Sequence, residues 1–237
     1  AILVLFTGGG LALFALRAKD MQAGGLFQPI SREGSLVLNN LLLVTAAATV
    51  LVGTLYPMAL EGLTGEKISV GPPFFNMTFG PLMIPLLIAL PVGPLLAWKR
   101  GDFLGAMQRL SFAFLAALVT IVAAFAVEHR GPWLAPFGIA LGVYVMAGAI
   151  IEWANRVKVG SASFEEVARR ATNLPRSAYG TLFAHFGIGM LVVGIIATSA
   201  YREEHILAMK PGEKVAVGGF EVTFTGVERG RGPNYTE

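Results

Sequence analysis

"YGTLFAHFGIGMLVVGIIATSAY", residues 179–201, holds no Asp, Glu, Lys or Arg. At 1.5 Å per residue a helix of that length crosses the roughly 30 Å hydrocarbon core of a bilayer. One residue does not belong in hydrocarbon: His185, six positions after Tyr179, or about 9 Å into the run. A neutral imidazole there needs partners for its ring nitrogens, at a cost of order a few kcal/mol without them. A polar group on a neighbouring helix, a water-filled cavity or a metal would all serve. Gly189 lies one turn further on the same face, beside Ile188 and Val192, and its missing side chain predicts room for something flat. Haem proteins of the membrane bind their macrocycle in this way, with a histidine nitrogen on the iron. Spacing alone supports a structural histidine, bonded across helices, equally well. Glycines also let helices approach closely, and Gly180-x-x-x-Ala184 fits that use. A six-coordinate haem needs a second axial histidine. The other two in the chain, His129 and His205, stand at the far ends of spans, out of reach of His185.

The rest of the chain agrees with a membrane setting. Charged residues make up 14% of its 237 residues, against about 25% in an average soluble domain; the mean hydropathy is +0.65. Six spans are predicted, at about 1–16, 36–56, 80–98, 110–127, 133–151 and 179–201. The first, third and fifth connections hold eleven basic residues (Arg17, Lys19, Arg32; Lys99, Arg100, Arg109; Arg156, Lys158, Arg169, Arg170, Arg176), and the second and fourth only Lys67 and Arg130. That asymmetry assigns the odd connections to the cytoplasm and the tail from Arg202 to the outside, in a bacterium the periplasm. The formal net charge of +3 follows from this arrangement, and no nucleic-acid-binding motif accompanies it. Cysteine is absent, which excludes disulfides, thiolate metal sites and cysteine nucleophiles. Ala1 already lies in the apolar run "AILVLFTGGGLALFAL", without Met or a basic leader, and "GPNYTE" closes the sequence without a final element. Both ends read as cuts in a longer protein rather than as a signal peptide and a finished tail.

Further features carry local expectations. Pro81, Pro85, Pro91 and Pro94 predict a third span that is kinked or partly unwound. Asn39 and Asn40 predict hydrogen bonding between helices. Ser163 with Glu166 forms a capping-box signature, and Phe164, Val167, Ala168 and Ala171 predict a short amphipathic helix along the inner surface. Phe220, Val222 and Phe224 alternate with polar residues after Gly218-Gly219, the pattern of a β-hairpin opening a small β-domain. In the outer loop "YPMALEGLTGEKISVGPPFFN", Gly71-Pro72-Pro73 predicts an extended turn with Phe74 and Phe75 as apolar surface. Trp98, Trp133 and Trp153 sit at span ends, as interfacial anchors do. The fold class is therefore an all-α polytopic membrane protein: a bundle over 1–201, with 202–237 as the truncated start of a periplasmic β-domain.

Several segments together resemble one family. "SREGSLVLNNLLLVTAAATVLVGTLYP", "GEKISVGPPFFN" before a proline-rich span, "AHFGIGMLVVGIIATSAY" and "GPNYTE" are similar, in order, to the bacterial cytochrome c maturation family CcmF, in its C-terminal part. The resemblance implies a haem lyase subunit that receives haem from the chaperone CcmE. With CcmH and CcmI it joins that haem to the CxxCH motif of apocytochrome c at the periplasmic face. It also implies a haem b held between transmembrane helices by two histidines and delivering electrons. One of those histidines stands in an "AH-x-G" context, which His185 and Gly187 match. The family's tryptophan-rich segment, the histidines flanking it and the second haem b histidine have no counterpart here, so the chain alone is expected to be inactive in ligation. The rival reading is a transporter or proton-relay subunit in which His185 passes protons; against it, the predicted spans contain no acidic or basic partner.

Overall fold

The computed structural model describes residues 2–20, 25–127 and 131–227. His129, Arg130 and the closing "GPNYTE" lie outside the described residues. The chain divides into two compact units, Ala1–Ser111 and Phe112–Glu237.

In the first unit, α1 (Ile2–Arg17) is exposed along its whole length. The second helix, α2, runs from Arg32 to Thr64. Ser31 caps its start, the hydroxyl accepting the Gly34 N–H at 3.0 Å, and Gly65 ends it in the left-handed region at φ 75°. The helix thus continues well past the expected end at 56. Pro57 removes only one backbone bond, and Met58, Leu60 and Glu61 favour helix on either side of it. The outer loop shrinks accordingly. Pro72 and Pro73 form the first turn of α3 (Pro72–Ala89) rather than an extended turn, because the missing N–H of proline has no intrahelical partner at that position anyway. Phe74 and Phe75, edge to face with centroids 5.3 Å apart, turn toward α2. A Cβ at Gly53 would lie 2.6 Å from Phe74 Cε1 and 3.1 Å from Phe75 Cε1. The third helix carries Pro81 and Pro85 inside it and gives way before Pro91. Asn39 donates to Asn40 at 3.3 Å, so this bond lies within one helix and not between two. At the start of α2, residues 28–33 are clasped to 97–101: Gln28 N–H to Lys99 O (2.8 Å), Arg32 N–H to Ala97 O (3.0 Å), and Lys99 N–H to Glu33 Oε2 (2.6 Å). The Arg32 guanidinium lies 5.2 Å over the Trp98 ring. Asp102 caps the short α4 (Phe103–Arg109).

The second unit is built on α6 (Ala135–Val157), which is more buried than any other described helix. Phe114 of α5 (Ser111–Val127) stacks on Tyr144 at 5.2 Å, and Phe125 meets Phe137 edge to face at 6.1 Å. The helix extends six residues beyond its expected end at 151, to Lys158 in the left-handed region. An ion pair between Glu152 and Arg156, one turn apart, supports that extension. The amphipathic helix forms as α7 (Phe164–Asn173), with Ser163 accepting the Glu166 N–H. Glu166 does not reach back to complete the capping box; its carboxylate pairs with Arg169 and Arg170. Then comes α8 (Arg176–Ala200). In the tail, β1 (Lys214–Val217) and β2 (Phe220–Thr223) pair antiparallel. Gly218 and Gly219 turn between them at φ 58° and 79°, the two-residue turn that suits strand twist.

By length and composition five helical segments are able to cross a membrane: Ile2–Asp20, Arg32–Thr64, Pro72–Leu95, Ala135–Val157 and Arg176–Ala200. A sixth arises if α4 and α5, broken at Leu110, are counted as one span.

Candidate functional site

Along α8 the buried and half-buried positions 178, 182, 185, 189, 192, 196 and 200 recur every three or four residues, the seam of a packed helix pair. The partner is α6. A Cβ at Gly142 would lie 2.7 Å from the Gly189 carbonyl oxygen. A Cβ at Gly189 would lie 2.6 Å from the Gly142 oxygen and 2.6 Å from Met146 Cγ. A Cβ at Gly138 would lie 3.0 Å from the side-chain carbon Cδ1 of Ile196, so the two helices run antiparallel. The glycine positions that allow this are Gly138-x-x-x-Gly142 on one helix and Gly189 on the other. Gly180, expected in that role, has nothing within 4 Å of its Cβ position.

His185 sits at the edge of this seam. It is half-buried, and no described residue hydrogen-bonds its ring. On its open flank lie Thr181, Ala184 and Ile188, the last two exposed. An unbonded imidazole bordered by small and apolar side chains suits axial ligation of a porphyrin iron. The two glycines stand differently. The room expected beside Gly189 is taken by α6, so its absent side chain serves helix packing. Gly187 is turned about 200° from His185 around the helix axis and has nothing within 4 Å of its Cβ position. A flat group on His185 would therefore approach from the Ala184–Ile188 flank. His205 is exposed, beyond the end of α8, and the helix from His185 to Ala200 alone rises about 22 Å. Among the described residues no cluster of three or more His, Asp or Glu could hold a metal ion.

The residue missed by sequence reasoning is Glu152. It is 5% exposed, on α6, the helix packed against α8, ten residues past Gly142 in the direction in which His185 lies from Gly189. The expectation that no acidic group accompanies His185 is thereby corrected. Glu152 stands one residue past the expected span end at 151, and the Glu152–Arg156 spacing, one helical turn, marks continued helix. Trp153, expected as an interfacial anchor, has its indole nitrogen buried without a partner. Trp98 and Trp133 are exposed.

Comparison with known proteins bears on this site. The family described as "CcmF C-terminal beta-sandwich" matches residues 200–237. The chain is 54% identical over 237 residues to the cytochrome c-type biogenesis protein CycK of Rhizobium meliloti (strain 1021), covering all of this chain and 35% of that protein. It is 34% identical over 236 residues to the cytochrome c-type biogenesis protein CcmF of Escherichia coli (strain K12), covering 99% of this chain and 35% of that one. A solved structure, "Cytochrome c Heme Lyase CcmF", superposes with a TM-score of 0.62 at 28% identity, over 88% of this chain and 32% of its own. The chain spans about a third of the length of the curated relatives it matches.

Proposed function

We propose that this chain, which corresponds to the C-terminal portion of the CcmF family of cytochrome c-type biogenesis proteins, is a haem-binding membrane component of a cytochrome c haem lyase, with His185 as one axial ligand of a haem b. The observation that carries the reading is the half-buried, unbonded imidazole at the edge of an apolar helix seam. Haem b, when bound, supplies a one-electron iron couple tuned by its ligand and by burial. The chain's own residues hold that group in place. The Gly142–Gly189 contact fixes the backbone that carries His185, while Ala184 and Ile188 offer an apolar flank and exclude water. The second axial ligand comes from outside the described residues.

In this reading the relevant placement is the bacterial inner membrane, with residues 1–201 crossing the bilayer and 202–237 opening a periplasmic β-domain. The basic-residue asymmetry of the connections and the family match at 200–237 support it. The partners are the haem chaperone CcmE, CcmH and CcmI, and apocytochrome c, which between them provide the incoming haem and the thiols. The ligase activity belongs to that assembly. The test is the spectrum of the full-length protein purified from membranes: a Soret band and a b-type α band, both lost in His185→Ala. Full haem retention in that variant rejects the ligand assignment.

A proton relay is the second reading, favoured by the buried Glu152 on the helix packed against that of His185. It requires no pigment. Full-length protein without a Soret band, whose Glu152→Gln variant nonetheless loses function, would support it over the haem reading.

A further inference from the structure

We propose that the clasp between residues 28–33 and 97–101, together with α4, docks the headgroup of an anionic phospholipid in the inner leaflet. This rests on the membrane placement given above and not on the haem. Helix α2 begins at Arg32, and the chain leaves α3 through a short helical turn, Gly93–Leu95, at the same end; a Cβ at Gly93 would lie 3.0 Å from the Ser35 hydroxyl. Four cations gather there: Arg32, Lys99, Arg100 and Arg109. The Arg109 guanidinium reaches back to the Leu95 carbonyl at 3.5 Å. The acids among them are Glu33 and Asp102, and backbone already occupies both carboxylates. Glu33 Oε2 accepts the Lys99 N–H at 2.6 Å, and Asp102 Oδ1 the Gly105 N–H at 2.9 Å. None of the four cations is ion-paired among the described residues, and four against two leaves an excess of positive charge. The opposite end of the α2–α3 pair carries Glu61, Glu66 and Lys67, with Lys67 paired to Glu61 at 3.4 Å. Uncompensated positive charge is confined to one end of this helix pair.

The cations stand on fixed backbone. Hydrogen bonds from Gln28 N–H to Lys99 O, Arg32 N–H to Ala97 O and Gly101 N–H to Ile30 O, at 2.8, 3.0 and 2.7 Å, tie the two segments together. Lys99 is held in the left-handed region at φ 61°, which a residue with a side chain keeps only where its surroundings impose it. The Trp98 ring under the Arg32 guanidinium fixes its plane, and a guanidinium edge forks onto two phosphate oxygens at once. Charged and apolar side chains are also layered. One turn inside Arg32, Leu36, Val37 and Leu38 are exposed, and Trp98, Phe103 and Leu104 are exposed beside the cations. A phospholipid has the same order, with phosphate outermost and acyl chains beneath. Aromatic side chains favour that boundary, and basic pockets between membrane helices on the cytoplasmic side bind acidic headgroups. A zwitterionic headgroup would leave the excess charge uncompensated, so the site selects a lipid of net negative charge.

The test uses full-length protein in vesicles of equal parts phosphatidylglycerol and phosphatidylcholine. In separate samples one lipid or the other carries the same photoreactive group close to its headgroup, and adducts are mapped by peptide mass spectrometry. Segment 97–109 should be labelled about fivefold more by phosphatidylglycerol than by phosphatidylcholine, while segment 57–71 shows no such preference. Lys99→Gln/Arg100→Gln should bring segment 97–109 close to equality. If that double variant does not accumulate, Arg100→Gln alone should lower the preference about twofold. Equal labelling of 97–109 by both lipids in the unaltered protein, or a preference that survives loss of both charges, overturns the headgroup site and leaves the membrane placement standing. No adduct from either lipid overturns the placement and the site together. A preference abolished by excess inorganic phosphate, but not by sodium chloride of equal ionic strength, identifies a soluble phosphate as the occupant and overturns the lipid.

Discussion

Two helix contacts in this chain solve the same packing problem by different means. In α2–α3 a glycine on one helix receives side chains from the other: the ring edges of Phe74 and Phe75 fill the notch at Gly53. In α6–α8 two glycines face each other and the contact is backbone on backbone, each Cβ position closed by the opposite carbonyl oxygen. An aromatic ring turns about two bonds and gives way. A carbonyl inside a helix cannot move without moving the helix. The first contact is therefore adjustable and the second is rigid. Only the rigid one lies a single turn from the histidine that carries the proposed function, so the position of His185 is set by a backbone contact, with Val193 and Met146 packed equally close beside it.

The largest expected effect follows from that rigidity. Gly189→Val or Gly142→Val places a branched side chain where 2.6–2.7 Å of space ends on backbone oxygen. Overpacking of this kind typically costs 1–3 kcal/mol, occasionally more, and here it separates the helices beside His185. Both variants of the full-length protein should lose most of their haem and melt at a lower temperature. Gly180→Val, with nothing within 4 Å of its Cβ position, is the control and should leave both measurements near native values. Equal damage at positions 180 and 189 would break the comparison, because the cost would then reflect helix propensity and not contact.

A smaller effect is expected at the adjustable contact. The Cβ of Gly53→Ala meets only ring carbons of Phe74 and Phe75, and those rings can rotate aside for about 1 kcal/mol. The double variant Gly53→Ala/Phe74→Leu should recover part of that loss, since residues in contact couple by 0.5–3 kcal/mol. The measurement is thermal unfolding of the four proteins of the cycle, followed by haem absorbance and by circular dichroism together. A Gly53→Ala loss as large as that of Gly189→Val would show that the rings are as immobile as the backbone.

Why the two contacts were unequally legible follows from the same physics. Long apolar runs announce membrane helices, period-2 alternation with Gly218-Gly219 announces the hairpin, and Ser163 announces α7, because each signal is local. His185 stands out for the same reason, as one polar residue in a run that otherwise has no charge. Which glycines touch is a property of two helices at once. Gly180-x-x-x-Ala184 and Gly138-x-x-x-Gly142 look alike along the chain, and only the side each turns to its neighbour distinguishes them. Proline and charge misled in a related way. Pro57 and Glu152 each stand one residue past an expected span end, and in isolation each disfavours a buried helix. In the fold, good helix formers around Pro57 carry α2 onward, and Arg156 one turn on lets Glu152 stay buried. Gly71-Pro72-Pro73 reads as a turn until the helix it starts is known.

The smallest expected effect concerns the connector between the rigid pair. Helix α7 joins α6 to α8, and the Tyr179 hydroxyl of α8 donates to the Ala171 carbonyl of α7 at 2.8 Å. Hydrogen bonds from Arg169 and then Arg170 hold the Glu166 carboxyl below its ordinary value. A carboxyl with a lowered folded-state pKa contributes stability that is present above the unfolded value of about 4.3 and is lost as pH falls through the folded value. Acidification from neutral pH to below 4 should therefore loosen α7. The side chain is partly open to solvent, so the change is modest and weakens further in high salt. Amide exchange across 164–173, corrected for intrinsic rates, should rise in that window while exchange across 138–149 and 185–196 stays constant. Glu166→Gln should remove the pH dependence in α7. If acid loosens the α6 and α8 segments together with α7, the backbone contact is not self-sufficient, and the position of His185 depends on the connector as well as on Gly142 and Gly189.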